Sequence, residues 1–331
     1  MSPAPPSPSG ATSVLVATHG HCLDGLLSAT LFTRLLRHVE GGKNLAFAYR
    51  PCGYGPNENG VPEEAFVGAI NAVLDYRYSP SSKLDWFFDH HVTAFVTDAD
   101  RASYTERAAS CRVFHDGAYG SCTKLIADVG AKHFDLNPEP FADLVHWADL
   151  IDAARFPNAA MPVEKREAPL RLMAVVERFG NEEFLARWVP RLLEEPFLLA
   201  SDSAEVRELY APLGADQEAF VRLVRAHAKV EGPTVVVDLG DEVLEAAPKF
   251  VTYALFPESL YSVVLTRSSS KCKISVGFNP WAPSPRRHDI AAICQRFGGG
   301  GHPVVGAAST KADELDRARG IVGSIVAELG A

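Results

Sequence analysis

Three separate apolar runs in this chain each end in an acid or an imidazole, and that repetition constrains the fold more than any other feature. Ser13-Val14-Leu15-Val16-Ala17-Thr18 leads into His19-Gly20-His21-Cys22-Leu23-Asp24-Gly25, Ala72-Val73-Leu74 ends at Asp75, and Trp86-Phe87-Phe88 ends at Asp89-His90-His91. Apolar runs without polar alternation read as strands covered on both faces, as in a parallel sheet. After the first run, Leu27, Leu31 and Leu35, with Phe32 and Leu36, repeat at helical spacing, giving strand, polar loop and helix. In open α/β sheets such loops lie at the carboxyl ends of the strands, where ligands bind. Parallel neighbours would therefore gather His19, His21, Asp24, Asp75, Asp89, His90 and His91 at one edge. Carboxylates packed so closely repel unless cations lie between them, and carboxylate with neutral imidazole is a donor set for divalent ions. Local alternatives stay open: Asp24 as a helix N-cap beside solvated histidines, and Asp89-His90-His91 as an exposed turn after a core strand.

The chain has 331 residues, 47% hydrophobic and 22% charged, enough for two cores. A net charge of -9 argues against a surface that coats nucleic acid, and no basic stripe with interleaved aromatics points to long-strand digestion. The six cysteines form no Cys-x-x-Cys pair, which suggests reduced thiols and a cytoplasmic protein. No run approaches the roughly 20 apolar residues of a membrane helix. The first twelve residues, rich in Pro, Ser and Ala, read as a disordered tail and not as a signal peptide.

Further along, Pro62 to Asn71 reads as a second helix, and Ser121 opens a capped helix after the turn at Gly117 to Gly120. A helix through Phe141, Leu144, Val145, Ala148 and Ile151 carries His146, Asp149 and Asp152 on its polar face, so it can aim Asp149, with Asp152 beside or behind it, at the same cluster. Helical periodicity continues from about Met161 to Ala228. From Gly232 short β-rich runs take over, at Thr234 to Val237, Tyr261 to Leu265 and Lys273 to Phe278, with helices near 250–256, 290–297 and 313–329. The helix ending at Phe297 leads into Gly298-Gly299-Gly300-Gly301-His302, where glycines let backbone N–H groups approach a phosphate or a base.

At these residues the chain resembles the DHH superfamily of phosphoesterases, named for the tripeptide found here at Asp89, His90 and His91. His19 to Gly25 is similar to the first motif, Asp75 to the second, Asp89 to His91 to the third and Ala148-Asp149-Leu150 to the fourth. Phe297 to His302 is similar to the signature of the DHH-associated C-terminal domain, which marks the nuclease and nucleotide-phosphatase branch.

The resemblance implies an α/β architecture: a tail over 1–12, a DHH metal-binding domain over 13–160 with a mostly parallel doubly wound sheet, a helical connector over 161–230, and a smaller α+β substrate-binding domain over 231–331, with the active-site cleft between the two domains. It also implies two divalent cations, manganese foremost, with cobalt, nickel, zinc or magnesium as alternatives. His19 and the first-motif partner, His21, would hold one ion with Asp75 shared, and Asp24, His90 and Asp149 would complete the other. Asp89 would orient His90, and His91 would lie near the leaving group or the phosphate. Gly299, Gly300, Gly301 and His302 would grip the substrate, with Asn279 contacting a base or sugar and Trp281 stacking on a base or packing under the loop. The expected reaction is hydrolysis of a phosphodiester or phosphomonoester in a short oligonucleotide or nucleotide. A catalytically impaired nucleotide sensor and a polyphosphate or pyrophosphate hydrolase are the alternatives, and a homodimer is left open.

The first motif departs from the family pattern. Where many members carry two carboxylates one residue apart, this chain has Cys22 before Leu23 and Asp24, with His21 one further back. A histidine in place of a carboxylate favours manganese, cobalt, nickel or zinc over magnesium, and a vacant first site is the alternative. Cys22 lacks a dedicated base, so covalent cysteine catalysis is set aside.

Overall fold

The apolar runs form the parallel sheet expected of them in the computed structural model, which describes residues 10–54, 60–110, 112–244 and 250–331. The chain divides into two units, Met1–Arg155 with Glu167–Tyr210, and Phe156–Arg166 with Ala211–Ala331. The first unit contains β1 (Thr12–His19), α1 (Leu23–Val39), β2 (Leu45–Cys52), β3 (Ile70–Leu74), β4 (Trp86–Asp89), α2 (Asp98–Arg107), β5 (Val113–His115), α3 (Cys122–Phe134) and α4 (Ala142–Asp152). Its five strands are parallel in the order β2-β1-β3-β4-β5. The winding reverses between β1 and β3, and open sheets bind ligands at the carboxyl ends that flank such a reversal. Register fixes what stands there. Thr18 lies opposite Leu74, and Leu74 opposite Phe88, so His19, Asp75 and Asp89 leave the sheet at one level. Cys52 and His115 extend that row on either side.

β4 is buried on both faces, as its uninterrupted apolar run requires. Trp86 and Phe88 meet Phe32 of α1 at ring distances of 5.8 and 6.2 Å, and Trp86 meets Phe134 of α3 at 5.4 Å. Phe87 points the other way, into a cluster with Ala17, Val73, Tyr78 and Val113. Burying each of these rings contributes about 2–3 kcal/mol, which anchors the strand whose end carries the Asp-His-His tripeptide.

Two expectations need correction. Pro62 to Asn71 is not a helix: a 3-10 turn covers Glu63–Ala65 and β3 begins at Ile70. The Asn71 side chain bonds both the N–H and the carbonyl of Gly68, and a Cβ at Gly68 would lie 2.8 Å from Leu15 N, so the chain is turned against β1 where a helix would need to run on. Nor is 161–230 a separate connector. After α5 (Ala160–Glu164), which belongs with the second unit, α6 (Ala168–Phe179), α7 (Glu182–Glu194) and α8 (Phe197–Ser201) pack with the first. The residues of α9 (Ala204–His227) up to Tyr210 count with the first unit and the rest with the second. The cause is amphipathicity: α7 buries Phe184, Leu185, Trp188, Val189 and Leu192 and packs on α1 and β2. Residues 1–9 of the expected tail lie outside the described residues, and Thr12 is already in β1.

The second unit is built on a six-stranded sheet in the order β10-β11-β9-β8-β7-β6. Its elements are β6 (Ala228–Glu231), β7 (Thr234–Val243), α10 (Val251–Leu255), β8 (Tyr261–Arg267), β9 (Lys271–Phe278), α11 (Ile290–Gln295), β10 (Gly300–His302), β11 (Val305–Lys311) and α12 (Leu315–Leu329). Among the described residues of this sheet, only β7 and β8 pair in parallel. Ile290, Ile293, Ile325 and Leu329 of α11 and α12 pack on Ile274 and Val276, the α+β layering expected of the alternating strands. No helix among the described residues is long and apolar enough to cross a membrane.

Candidate metal centre

Asp75 stands at the middle of the row of strand ends. It turns out of β3 with φ 53°, a left-handed conformation that Asp tolerates better than most residues, and its N–H donates to Phe88 O at 2.9 Å. Its carboxylate is 1% exposed, and neither oxygen has a hydrogen-bond partner among the described residues. A buried polar group left unpaired costs about 1–3 kcal/mol, and a charged one more. Three imidazoles face it: His19 Nδ1 lies 3.6 Å from Oδ2, and His90 Nε2 and His91 Nδ1 lie 3.5 and 3.7 Å from Oδ1. These distances are too long for hydrogen bonds. For His19 and His90 they are close to the separation, roughly 3.0–3.4 Å, of neighbouring donors that share one ion at about 2.1 Å, whereas His91 Nδ1 is held by Asp89 at 2.8 Å.

His90 is oriented from behind. Tyr119 O lies 3.1 Å from its Nδ1, and a carbonyl only accepts, so Nδ1 carries a hydrogen and Nε2 is turned toward the acids. Nε2 is 3.2 Å from Asp152 Oδ2, 3.5 Å from Asp75 Oδ1 and 3.9 Å from Asp24 Oδ2, and none of these contacts has hydrogen-bond geometry. Burial works against a charged ring, but Asp152 and Asp75 beside it, reinforced by Asp24, push its pKa up to about 11. Burial likewise opposes charge on Asp75, yet His19 and His90 draw it down to about 2. A proton on Nε2 and a cation at Nε2 answer the same negative field. The donor set therefore fits a bound cation.

Asp24 sits in the first turn of α1 but caps a different helix. Its two oxygens accept the N–H groups of Cys122 at 2.7 Å and Thr123 at 3.0 Å, the first residues of α3. Burial, and then the charges of Asp75 and Asp152, raise its carboxyl well above the ordinary value. Gly25, next to it, permits a very close approach: a Cβ there would lie 2.0 Å from His19 O.

Three groups bring their candidate ligand atoms within 4.8 Å of one another: His19, Cys22 and Asp75; Asp75, His90 and His91; Asp24, His90 and Asp152. Of the residues expected from sequence, His19, Asp24, Asp75, His90 and His91 come together. His21 does not: it is exposed, its φ is 54°, and its Nδ1 lies 3.2 Å from Glu177 O. Cys22 stands in the cluster in its place. Asp149 does not either. Arg155 holds it at 2.7 Å, and Asp152, one turn on, faces His90. Asp89 orients His91, at 2.8 Å from its Nδ1, and not His90. Two supporting groups escaped sequence reasoning, Tyr119 and His115, whose Nε2 lies 2.8 Å from His91 O. Neither carries a local signal, because β5 is only three residues long.

In the second unit Asn279 is 1% exposed and fully engaged. Its amide donates to Pro257 O at 3.0 Å and Ser259 O at 2.9 Å, and its Oδ1 accepts from Trp281 N at 3.1 Å. It shapes a turn and is not free for a base or sugar. Trp281 is packed as well, donating to Phe156 O and lying against Phe250. The expected loop of Gly298 to His302 is in part a strand, with Gly300 opposite Ala307 and His302 opposite Val305. A Cβ at Gly299 would lie 2.0 Å from Ala307 O, whereas Gly300 has open space and His302 is exposed.

A parallel sheet whose strand ends carry this donor set, in a chain that continues into a second, mixed sheet, is the two-sheet architecture that the sequence resemblance implied. No protein-family model matches the sequence, and no curated protein matches it significantly. Solved structures do. A pGpG-specific phosphodiesterase, PggH from Vibrio cholerae, aligns with a TM-score of 0.68 and 17% identity over 96% of this chain and 98% of its own. RecJ from Thermus thermophilus, in complex with Mn2+, aligns at 0.52 with 14% identity over 96% of this chain and 52% of RecJ, so the chain spans about half of that protein.

Proposed function

We propose that this chain is a metal-dependent phosphoesterase that hydrolyses a phosphodiester or phosphomonoester in a short oligonucleotide or nucleotide. The observation that carries the reading is Asp75, a buried carboxylate with no hydrogen-bond partner among the described residues, shared by two of the donor groups. In this reading His19, Cys22 and Asp75 hold one divalent ion, and Asp24, His90 and Asp152, with Asp75 between the groups, hold a second. When bound, such a pair lowers the pKa of water and neutralises the phosphoryl oxygens as charge builds on them.

The chain's own groups fix the rest. The α3 N–H groups hold the Asp24 carboxylate, and Tyr119 O fixes the ring of His90. Asp89 accepts from His91 Nδ1, which leaves Nε2 to meet a phosphate oxygen or the leaving oxygen. We assign substrate contact in the second unit to Gly300 and His302, the open and exposed members of the glycine-rich segment. The fold likeness to a pGpG-specific phosphodiesterase supports a 5′-phosphorylated linear dinucleotide as the first substrate to try.

The test is hydrolysis of pGpG and other short oligonucleotides by chelator-treated protein resupplied with manganese, cobalt, zinc or magnesium, beside Asp75→Asn. Turnover that requires added metal and is lost in the folded variant is expected. Wild-type turnover by Asp75→Asn, or undiminished turnover in chelator, would overturn the reading.

A further inference from the structure

Cys22 stands at the strand ends with its sulfur close to the acids gathered there, Asp75, Asp152 and Asp24. It occupies the N-cap of α1 in extended conformation, φ -130° and ψ 135°, yet makes no side-chain cap bond, the service that Ser, Thr, Asp or Asn gives there. The sulfur instead lies in one group with the ring of His19 and the carboxylate of Asp75. Asp75 supplies an independent sign that something belongs at this point, because it is 1% exposed and neither oxygen has a hydrogen-bond partner among the described residues. The neighbouring cysteine, Cys52, is directed elsewhere, its sulfur donating to Arg50 O.

We infer that Cys22 is a sulfur ligand, so that the subsite formed with His19 and Asp75 takes thiophilic divalent ions, zinc, cobalt or cadmium, in preference to magnesium. This rests on the metal-centre reading above but not on which phosphoester is the substrate. A thiolate carries the same charge as the carboxylate found in many proteins with this first motif, so the negative field at the strand ends is kept while the donor becomes soft. The bond that forms is metal to sulfur, and the thiol proton passes to solvent. A second use of Cys22, as a small apolar filler, would leave the sulfur without any contact to an added ion.

Cobalt reports the difference directly. Chelator-treated protein is titrated with Co2+ while absorption is followed, for wild type, Cys22→Ser, Cys52→Ser and Asp75→Asn. Wild type and Cys52→Ser are expected to develop a near-ultraviolet sulfur-to-cobalt charge-transfer band, which Cys22→Ser lacks although it still shows the visible cobalt transitions. Alkylation of Cys22 in the unaltered protein, read by peptide mass, is expected to slow when Co2+ is added, a measurement that needs no variant to fold. Cys22→Asp should move the zinc-to-magnesium affinity ratio toward magnesium by on the order of 10–100-fold, the range that loss of a metal-site partner produces. Visible cobalt transitions without a sulfur band in wild type, or a band that survives in Cys22→Ser, overturns this inference and leaves the metal centre standing. Failure of wild type to bind cobalt at all overturns both.

Discussion

Adding one methyl group at Gly25 tests the geometry of the whole site. A Cβ there would stand 2.0 Å from His19 O, 3.0 Å from His19 C and 3.2 Å from Thr18 Oγ1. Ordinary contact begins at 3.4 Å, so the start of α1 must retreat from β1 by roughly 1.4 Å, the difference between 3.4 and 2.0. The first atoms met are backbone, so no rotamer change relieves the clash. Overpacking of this kind costs about 1–3 kcal/mol. The retreat also carries Asp24 off the N–H groups of Cys122 and Thr123 and weakens the bond from Thr18 Oγ1 to Gly25 O. The two bonds to Asp24 contribute about 0.5–1.5 kcal/mol each, so with the overpacking the total loss comes to roughly 2–6 kcal/mol. A displacement near 1 Å at a reacting centre costs on the order of 100-fold in rate. Gly25→Ala should therefore lower the urea midpoint and, where it remains folded, cut metal-dependent hydrolysis by about two orders of magnitude. Gly323→Ala is the control. It lies in α12 with nothing within 4 Å of the added carbon, and it should stabilise by about 0.5–1 kcal/mol. An unchanged midpoint and full turnover in Gly25→Ala would refute the close strand-to-helix approach on which the cluster is argued.

The acids at the end of α4 should separate. Asp152→Asn is expected to weaken metal affinity by on the order of 10–100-fold in a thermal-shift titration, whereas Asp149→Asn loses only an ion pair to a half-exposed Arg155, about 0–1 kcal/mol, with metal affinity unchanged; the reverse ranking sinks the assignment. Asn279→Ala removes three buried hydrogen bonds and should cost roughly 2–4 kcal/mol of stability in chemical denaturation. A raised KM at unchanged stability would return Asn279 to the substrate site. Burial works against the charge on Asp238, but the bond from Arg319, with the N–H of Gly240, holds its carboxyl below the ordinary value. A depressed carboxyl pKa stabilises above the unfolded value, about 3.9, and the gain fades as pH falls through the folded value. Both partners are more than a third exposed, so Arg319→Ala should cost under about 1 kcal/mol at pH 7 in urea unfolding, with the difference closing as pH falls through the depressed folded value; a gap that widens on acidification would contradict that sign.

The sequence by itself determined which side chains reach the carboxyl edge of the sheet. An uninterrupted apolar run such as Trp86 to Phe88 must be covered on both faces, so the polar residues that follow it have nowhere to go but the rim, and the same holds for His19 and Asp75. The spacing of Leu27, Leu31 and Leu35 likewise dictated α1. Which of two neighbours turns inward was decided only in three dimensions. His21 and Cys22 are equivalent candidates on paper, but the left-handed φ of His21 and a carbonyl 156 residues away, Glu177 O, turn the imidazole outward and leave the sulfur inside. Asp149 and Asp152 differ by three residues, about 60° around a helix, and Arg155, just beyond α4, takes the first and leaves the second to His90. Asn279 was claimed by the carbonyls of Pro257 and Ser259, twenty or so positions earlier. Burial is written locally, in the alternation and length of apolar runs. Orientation about a single residue depends on partners that only folding brings near, and no local pattern records them.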